Sequence, residues 1–220
     1  MQSQATPATE RTRVRRRPQR GVYERDAIAA ILDEGLLAHV GFCDAPGGAP
    51  TVIPTAYGRD GETLYLHGAV AARWTKALAT HDEVCVTVTL LDGLVLARST
   101  FHHSMNYRSV IVFGRAELVT ERTEKLHGLE RIVEHLVPGR SHDARPPTDA
   151  ELDATALLRL SLSEASAKIR TGGPIDDEDD LGLPVWAGVV PAITTFGPPS
   201  PDEYVQASVS VPQYVSDYAR

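Results

Sequence analysis

Polar and titratable side chains crowd the stretch "RSTFHHSMNYRSVIVFGRAELV", residues 98–119. His102 and His103 are adjacent, and Tyr107, Arg108 and Ser109 lead directly into an apolar run that is typical of a strand. A strand that only filled a core would not need so many hydrogen-bond donors beside it. The set suits a ligand that requires aromatic faces, donors and positive charge together.

The spacing within this stretch limits what it can bind. Adjacent side chains of an extended chain point to opposite faces, so His102 and His103 do not form an obvious metal pair. Since no further ligands stand at a metal-binding spacing, we expect no metal site, although one of the two histidines beside a ligand remains possible. The same alternation lets only one of Tyr107 and Arg108 face inward, unless the backbone bulges there.

A second candidate site is the junction of a strand and a helix in "YLHGAVAARWTKAL". His67, Gly68 and Ala69 lie at the turn, where small residues let a ligand approach the backbone. The first turn of a helix leaves N–H groups free and favours an anion. Arg73 and Lys76 are three residues apart and share a helix face. The pattern indicates a phosphate site, although a plain turn with two surface cations would look the same.

Composition and charge narrow the possible functions. The chain has 220 residues and a formal net charge of −7, which argues against a general nucleic-acid binder. Cys43 and Cys85 lie in apolar runs, so we expect buried free thiols in a reducing compartment, with a disulfide between them as the alternative. No stretch approaches the ~20 apolar residues of a membrane span, and no signal peptide is recognisable. We therefore expect a cytoplasmic protein without a membrane partner.

Three zones differ in composition. Residues 1–17 are polar and basic and lack periodicity, which predicts a disordered leader. Residues 18–195 are expected to form the folded domain. Residues 196–220 are rich in Pro, Ser and Tyr, and we expect an extension that lies on the surface or on a partner subunit. The acidic run 176–180 is expected to be a solvated loop.

Within the domain, hydrophobic periodicity predicts three helices and six strands. The helices are expected at residues 25–35, 69–80 and 123–139, and the strands at 36–44, 51–59, 63–68, 83–91, 109–120 and 156–163. Strands that are joined mostly by hairpins, with few helices between them, favour an antiparallel sheet closed into a small barrel.

These segments resemble the pyridoxamine 5'-phosphate oxidase-related flavoproteins, nearest the nitroimidazole-resistance (Nim-type) branch. The resemblance covers roughly residues 21–191, and the strings "LHGAVAAR", "NYRSVIVFG" and "LPVWAGV" carry it. It implies a mainly β fold with flanking helices, namely an antiparallel split β-barrel. It also implies a homodimer that binds FMN at the subunit interface.

The resemblance further assigns residues to the flavin. His67, Gly68, Ala69 and Arg73, with Lys76 nearby, would hold the phosphate. The isoalloxazine would lie along Thr55, Ala56 and Tyr57, and the site would be closed by Tyr107, Arg108 and Ser109. His67 would also stand beside the flavin as the catalytic candidate, and Trp186 near the partner subunit's flavin. A core histidine and a buried interface tryptophan are the alternatives for these two residues.

Function follows less directly than fold. The chain lacks the arginine-rich ending by which the true oxidases hold pyridoxal phosphate, and it has no nicotinamide-binding fingerprint. We therefore expect an FMN-dependent oxidoreductase that reduces a small organic acceptor, such as a nitroaromatic or quinone-like compound. The alternatives are a non-catalytic flavin carrier or sensor, and a split barrel that uses deazaflavin F420 or haem.

Overall fold

The computed structural model describes residues 6–45, 47–80 and 83–219. Its strands are β1 (Gly21–Val22), β2 (Ala38–Cys43), β3 (Pro50–Thr55), β4 (Tyr57–Asp60), β5 (Thr63–Ala69), β6 (Val84–Leu96), β7 (Ser104–Gly114), β8 (Glu117–Leu118), β9 (Thr155–Ser161), β10 (Glu164–Arg170) and β11 (Gly188–Pro191). Its helices are α1 (Arg25–Glu34), α2 (Arg73–Thr80), α3 (Arg122–Leu136), α4 (Arg140–Asp143), α5 (Asp149–Ala154) and α6 (Gln213–Ser216). None of the helices in the described ranges has the length and apolar character that a membrane crossing requires.

The strands form two antiparallel sheets. The first has the order β1-β10-β7-β6-β2-β3, with β11 added against β6, and the second has the order β4-β5-β9-β8. Helix α1 packs on the first sheet and α3 on the second. The predicted fold class, an antiparallel split barrel with flanking helices, is confirmed.

The chain crosses between the sheets inside segments that the sequence presents as single strands. The predicted strand 51–59 is two strands, β3 and β4, which belong to different sheets and meet at Ala56. The predicted strand 109–120 divides in the same way into β7 and β8. Apolar residues stand on both sides of each break, so the composition of these segments does not predict that the hydrogen-bonding partner changes within them.

The core is an apolar layer between the two sheets. Its central side chains are at most 1% exposed and come from both sheets: Val40, Val86, Val88, Val110, Val112, Leu64, Leu66, Leu158 and Leu160. Ile28, Ile31 and Leu32 of α1 complete the layer. Complete burial of a Val or Leu side chain stabilises the fold by about 1.5–3 kcal/mol, so this layer is the main source of stability.

A smaller cluster joins α3 to the second sheet through Tyr65, Val119, Ile132 and Leu157. The helix approaches β4 so closely that a Cβ atom on Gly58 would lie 2.6 Å from the backbone nitrogen of Ile132. Only glycine permits this contact without displacement of the helix backbone.

Part of the leader that we expected to be disordered packs on the sheet. Arg11 pairs with Glu83 at 2.5 Å and also with Glu164, and its guanidinium lies 5.2 Å from the centre of the Phe113 ring. Thr12 is only 2% exposed. The prediction of disorder is therefore wrong for this part, because Arg11 pairs with carboxylates at the sheet and the Thr12 hydroxyl donates to the Thr9 carbonyl within the leader. Residues 1–5 of the predicted leader lie outside the described residues.

The C-terminal extension ends on its own chain. The Tyr214 hydroxyl donates to Oδ2 of Asp143 at 2.7 Å, and the Tyr218 hydroxyl donates to the Leu136 carbonyl at 2.6 Å. The rings of Phe196 and Tyr218 meet edge to face with their centres 4.8 Å apart. The sequence left open whether the extension lies on the surface or on a partner subunit. In this structure its end lies on the surface of its own subunit.

A buried polar cluster joins α1, β4 and α3. The Tyr57 side chain is fully buried, and its hydroxyl lies 2.6 Å from the Leu32 carbonyl and 2.9 Å from the Gly35 carbonyl. His135 Nε2 lies 2.6 Å from the same Gly35 oxygen, so Nε2 must carry the proton. The rings of Tyr57 and His135 stand 4.5 Å apart. The end of α1 is thus held by two side chains from distant elements.

Removal of the Tyr57 hydroxyl should weaken the fold. In Tyr57→Phe a buried carbonyl loses its donor, and we expect the free energy of unfolding to fall by about 1–3 kcal/mol, measured by urea denaturation. Tyr204→Phe is the matched control, because Tyr204 is 81% exposed and should shift stability by less than about 0.5 kcal/mol. Equal stabilities for the two variants would contradict this role of the hydroxyl.

Candidate functional site

The junction between β5 and α2 presents free backbone donors. The N–H groups of Val70 and Ala72 donate to the carbonyls of Ala154 and Ala69, but no described side chain caps the first turn of α2, which begins at Arg73. The turn is held from within, since Oγ1 of Thr75 lies 2.7 Å from the Ala69 carbonyl and 2.9 Å from the Ala72 carbonyl. The N–H groups of this turn can therefore receive an anion.

Gly68 is required for packing at this junction. A Cβ atom at this position would lie 2.4 Å from Cζ2 of Trp74 and 2.8 Å from Cγ2 of Thr75. The glycine is needed so that the first turn of α2 can pack onto β5. The interpretation that it lets a ligand approach the backbone stays a prediction.

His67 carries a ring nitrogen without a partner. It lies on β5 opposite Leu157 and is half-buried. Its Nδ1 is shielded from solvent and has no hydrogen-bond partner among the described residues. Burial lowers the pKa of His67, which favours the neutral imidazole. A neutral imidazole can donate a proton from one nitrogen and bind an acceptor or a metal with the other.

Arg73 and Lys76 lie near the junction, but the structure does not bring them to one group. Arg73 is 77% exposed, and its Nη2 lies 3.2 Å from Oδ2 of Asp44. Lys76 borders a separate cleft with Lys125. Because an exposed ion pair contributes only about 0–1 kcal/mol, Arg73 can exchange Asp44 for a ligand at little cost.

The three residues predicted along the isoalloxazine are separated by the crossing between the sheets. Thr55 ends β3 and is half-buried, and Ala56 packs partly against the cluster under α3. Tyr57 faces the core, where its ring cannot contact a ligand. Thr55 and Ala56 therefore remain accessible to a flat ring, and the Tyr57 side chain does not.

Arg108 is already engaged by two carboxylates. Its Nη2 lies 2.7 Å from Oε1 of Glu34 and 2.7 Å from Oδ1 of Asp92. The two acids raise the pKa of Arg108, and the Arg108 hydrogen bond lowers the pKa of Glu34. Asp92 can reach Arg108 because the β6–β7 register shifts between Leu91 and Gly93. Arg108 thus fixes α1 to the sheet and is not free for a phosphate.

Tyr107 and Ser109 face the opposite way from Arg108, as strand alternation requires. Val110 and Val112 of the same strand lie in the core, so Tyr107 and Ser109 lie on the outer side of the first sheet. Oγ of Ser109 lies 3.3 Å from the Lys168 carbonyl. The three predicted closing residues are therefore divided between two faces.

The outer side of the first sheet also holds both cysteines. Both thiols are free, as we expected, but Cys43 is exposed and Cys85 is half-buried. They alternate along β2 and β6 with the core residues Phe42 and Val86. The prediction of burial is therefore wrong, because apolar neighbours in sequence occupy the other face of each strand.

The loop that carries Trp186 is tied to the start of β7, which sequence reasoning missed. The side chain of Asp176 is 1% exposed and accepts from the backbone N–H and from Nη1 of Arg98, both at 2.9 Å. His102 Nε2 lies 3.1 Å from Oδ2 of Asp177. The prediction of a solvated acidic loop is thus wrong for Asp176. Trp186 itself is 66% exposed, so in this subunit it is not a core residue.

Two comparisons, with family models and with solved structures, relate the chain to known proteins. A family model described as pyridoxamine 5'-phosphate oxidase matches residues 24–169. The flavocytochrome Anf3 from Azotobacter vinelandii is 42% identical, with 96% of this chain and 97% of that chain covered and a TM-score of 0.90. The FAD and heme binding protein from Mycobacterium smegmatis is 35% identical, with 89% and 95% covered and a TM-score of 0.84.

A more distant structure shares the fold alone. It is a putative 5-nitroimidazole antibiotic resistance protein from Bacteroides thetaiotaomicron VPI-5482, which is 24% identical, with 68% of this chain and 86% of that chain covered and a TM-score of 0.57. No curated protein matches the chain.

Proposed function

Since the chain belongs to the pyridoxamine 5'-phosphate oxidase family, we propose that it binds a flavin nucleotide and acts as a flavin-dependent oxidoreductase. The names of two relatives, a flavocytochrome and an FAD and heme binding protein, support a flavin. When bound, a flavin supplies electron transfer to and from small molecules. The acceptor that we propose is a small organic compound of the nitroaromatic or quinone type.

The observation that carries this proposal is the uncapped first turn of α2. Its N–H groups and the exposed Arg73 guanidinium suit the phosphate that riboflavin lacks and a flavin nucleotide carries. Thr55 and Ala56 would lie along the ring, and His67 would donate a hydrogen bond to the ring edge. The residues present therefore fit a flavin nucleotide, whether FMN, which the sequence suggested, or FAD.

The state of His67 also favours haem as a second bound cofactor. The neutral imidazole of His67, with a nitrogen that no described residue contacts, is the form that ligates iron. The histidines of the 98–119 stretch differ from it, because His102 contacts Asp177 and His103 Nδ1 lies 2.9 Å from the Ser99 carbonyl. The names of both close relatives include a cytochrome or heme. We propose His67 as the iron ligand of this chain.

We also propose a homodimer. The outer side of the first sheet exposes Val52 by 63%, Leu91 by 48% and Met105 by 51%, and Trp186 adds a further apolar surface. Exposed apolar patches of this kind mark association surfaces, and a second copy would cover one sheet with its equivalent. Tyr107 and Ser109 lie on this same side, so the partner would also enclose the residues that the resemblance places around the flavin.

The absorption spectrum of the purified protein, loaded with flavin and haem, tests the two cofactors. We expect flavin bands together with a Soret band, since Arg73 and the α2 turn would hold the flavin phosphate, whereas His67 would ligate the iron. His67→Ala should lose the Soret band and keep the flavin bands, because Arg73 and the α2 turn supply the phosphate contacts separately. His103→Ala is the matched control and should retain both. A wild-type protein without flavin bands would refute flavin binding, and an unchanged Soret band in His67→Ala would refute the haem ligand.

Turnover separates an oxidoreductase from a flavin carrier. After chemical reduction of the bound flavin, mixing with a quinone should reoxidise it many times faster than free flavin at the same concentration, followed by stopped-flow absorbance. Reoxidation no faster than that of free flavin would support the carrier.

Light scattering tests the dimer. We expect a mass near twice the 23.8 kDa of one chain. Leu91→Asp should shift the mass toward the monomer, because it places a charge inside the proposed interface, whereas Val133→Asp on α3 should leave the dimer intact. A wild-type monomer at micromolar concentration would exclude the shared interface.

A further inference from the structure

Two rows of side chains cross the outer side of the first sheet from β6 through β7 to β10. The strand registers give these rows as Leu91, Tyr107 and Arg170, followed by Thr89, Ser109 and Lys168. Neighbouring strands lie about 4.8 Å apart, and residues two apart on one strand are separated by about 7 Å. A molecule of the size of one aromatic ring can therefore contact both rows, which together form the outer platform.

Arg170 lies in the outer platform as a buried charge without a counterion. It is 5% exposed, and its guanidinium donates to Oδ1 of Asn106 and to the carbonyls of Gly172 at 3.1 Å and Gly173 at 3.0 Å. Its Nε has no partner among the described residues. The acceptors are all neutral, so they satisfy hydrogen bonds but do not neutralise the charge, which is costly to bury unpaired.

Two further cations stand close to Arg170. Lys168 is half-buried on the same face of β10, two residues earlier. Burial lowers the pKa of Arg170, and the nearby charge of Arg20 lowers it further. Within the described ranges, none of these three cations forms an ion pair. In a chain with a net charge of −7, such a group of unneutralised cations creates a local site for an anion.

The part of the outer platform beside the cations is aromatic and apolar. Tyr107 lies directly between Arg170 and Leu91 in its row, and its hydroxyl has no hydrogen-bond partner among the residues that the structure describes. Leu91 is 48% exposed. A ring attached to an anionic group at the cations would therefore meet the Tyr107 ring and the Leu91 side chain.

We infer that the outer platform binds a small aromatic carboxylate. The carboxylate contacts the Lys168 ammonium and the Arg20 guanidinium, and Arg170 supplies a fixed positive charge behind them. The ring lies on Tyr107 and Leu91. The assignment uses neither His67 nor the α2 turn, so it does not depend on the proposed flavin.

Isothermal titration calorimetry of the purified protein with benzoate, benzamide and acetate, at constant ionic strength, tests the inference. Benzamide keeps the ring without the charge, and acetate keeps the charge without the ring, so benzoate should bind about tenfold more tightly than either. Lys168→Gln should weaken benzoate binding about tenfold, the scale of one charge-assisted contact, and change benzamide binding less than about twofold. Lys125→Gln removes a lysine of α3, which packs on the second sheet, and as the matched control it should change neither.

Two more variants complete the test. Tyr107→Ala should weaken benzoate and spare acetate, and Arg20→Gln repeats the loss of charge if Lys168→Gln folds poorly. Equal affinities of the wild type for benzoate and benzamide, or for benzoate and acetate, would overturn the inference. It would also fail if Lys168→Gln kept its benzoate affinity and lost the dimer mass in light scattering, because the cations would then pair with acids of a second copy. A wild type with flavin bands that does not bind benzoate would contradict this inference alone and leave the proposed function intact.

Discussion

Burial of one apolar layer between two sheets is the constraint on which the rest of the molecule depends. Valines of the first sheet and leucines of the second are almost completely enclosed, and neither sheet could keep these side chains from water alone. The chain must therefore pass between the sheets, and it does so at small residues such as Ala56 and Ala116. The crossing at Ala56 places Thr55 and Tyr57 on different sheets, which decides which of them can contact a ligand.

The sequence predicted elements better than contacts. Helix α1, helix α2 and strand β5 with His67 follow from local periodicity and turn residues, so they were predictable. The partners of Arg108 were not, because Glu34 lies far away in sequence and Asp92 becomes available only through a register shift. The resemblance to a family predicted a site at the β5–α2 junction, but it could not tell that Gly68 accommodates Trp74 or that Tyr57 is enclosed.

The charged groups of this protein divide into two sets with different uses. Arg108, Arg98 and Arg11 hold carboxylates of distant elements, and Tyr57 and His135 hold one backbone carbonyl. These contacts fix α1, the Trp186 loop and the leader on the sheet. The junction differs, since a buried ring nitrogen of His67 remains without a described partner. Polar side chains with hydrogen-bond or ion-pair partners thus surround a few polar groups without described partners. This arrangement favours a preorganised binding site.

The pairing of β5 with β9 also determines when this protein can acquire a cofactor. His67 pairs with Leu157 and Gly68 with Ala156, so the strand of the junction emerges during synthesis long before its neighbour. Closure of so long a loop costs entropy before any contact compensates for it, and folds that depend on such pairings form slowly. The junction therefore exists only after most of the chain has been made. A flavin would then bind to a chain that has already folded. It would stabilise the folded state by mass action and would not guide the order of folding.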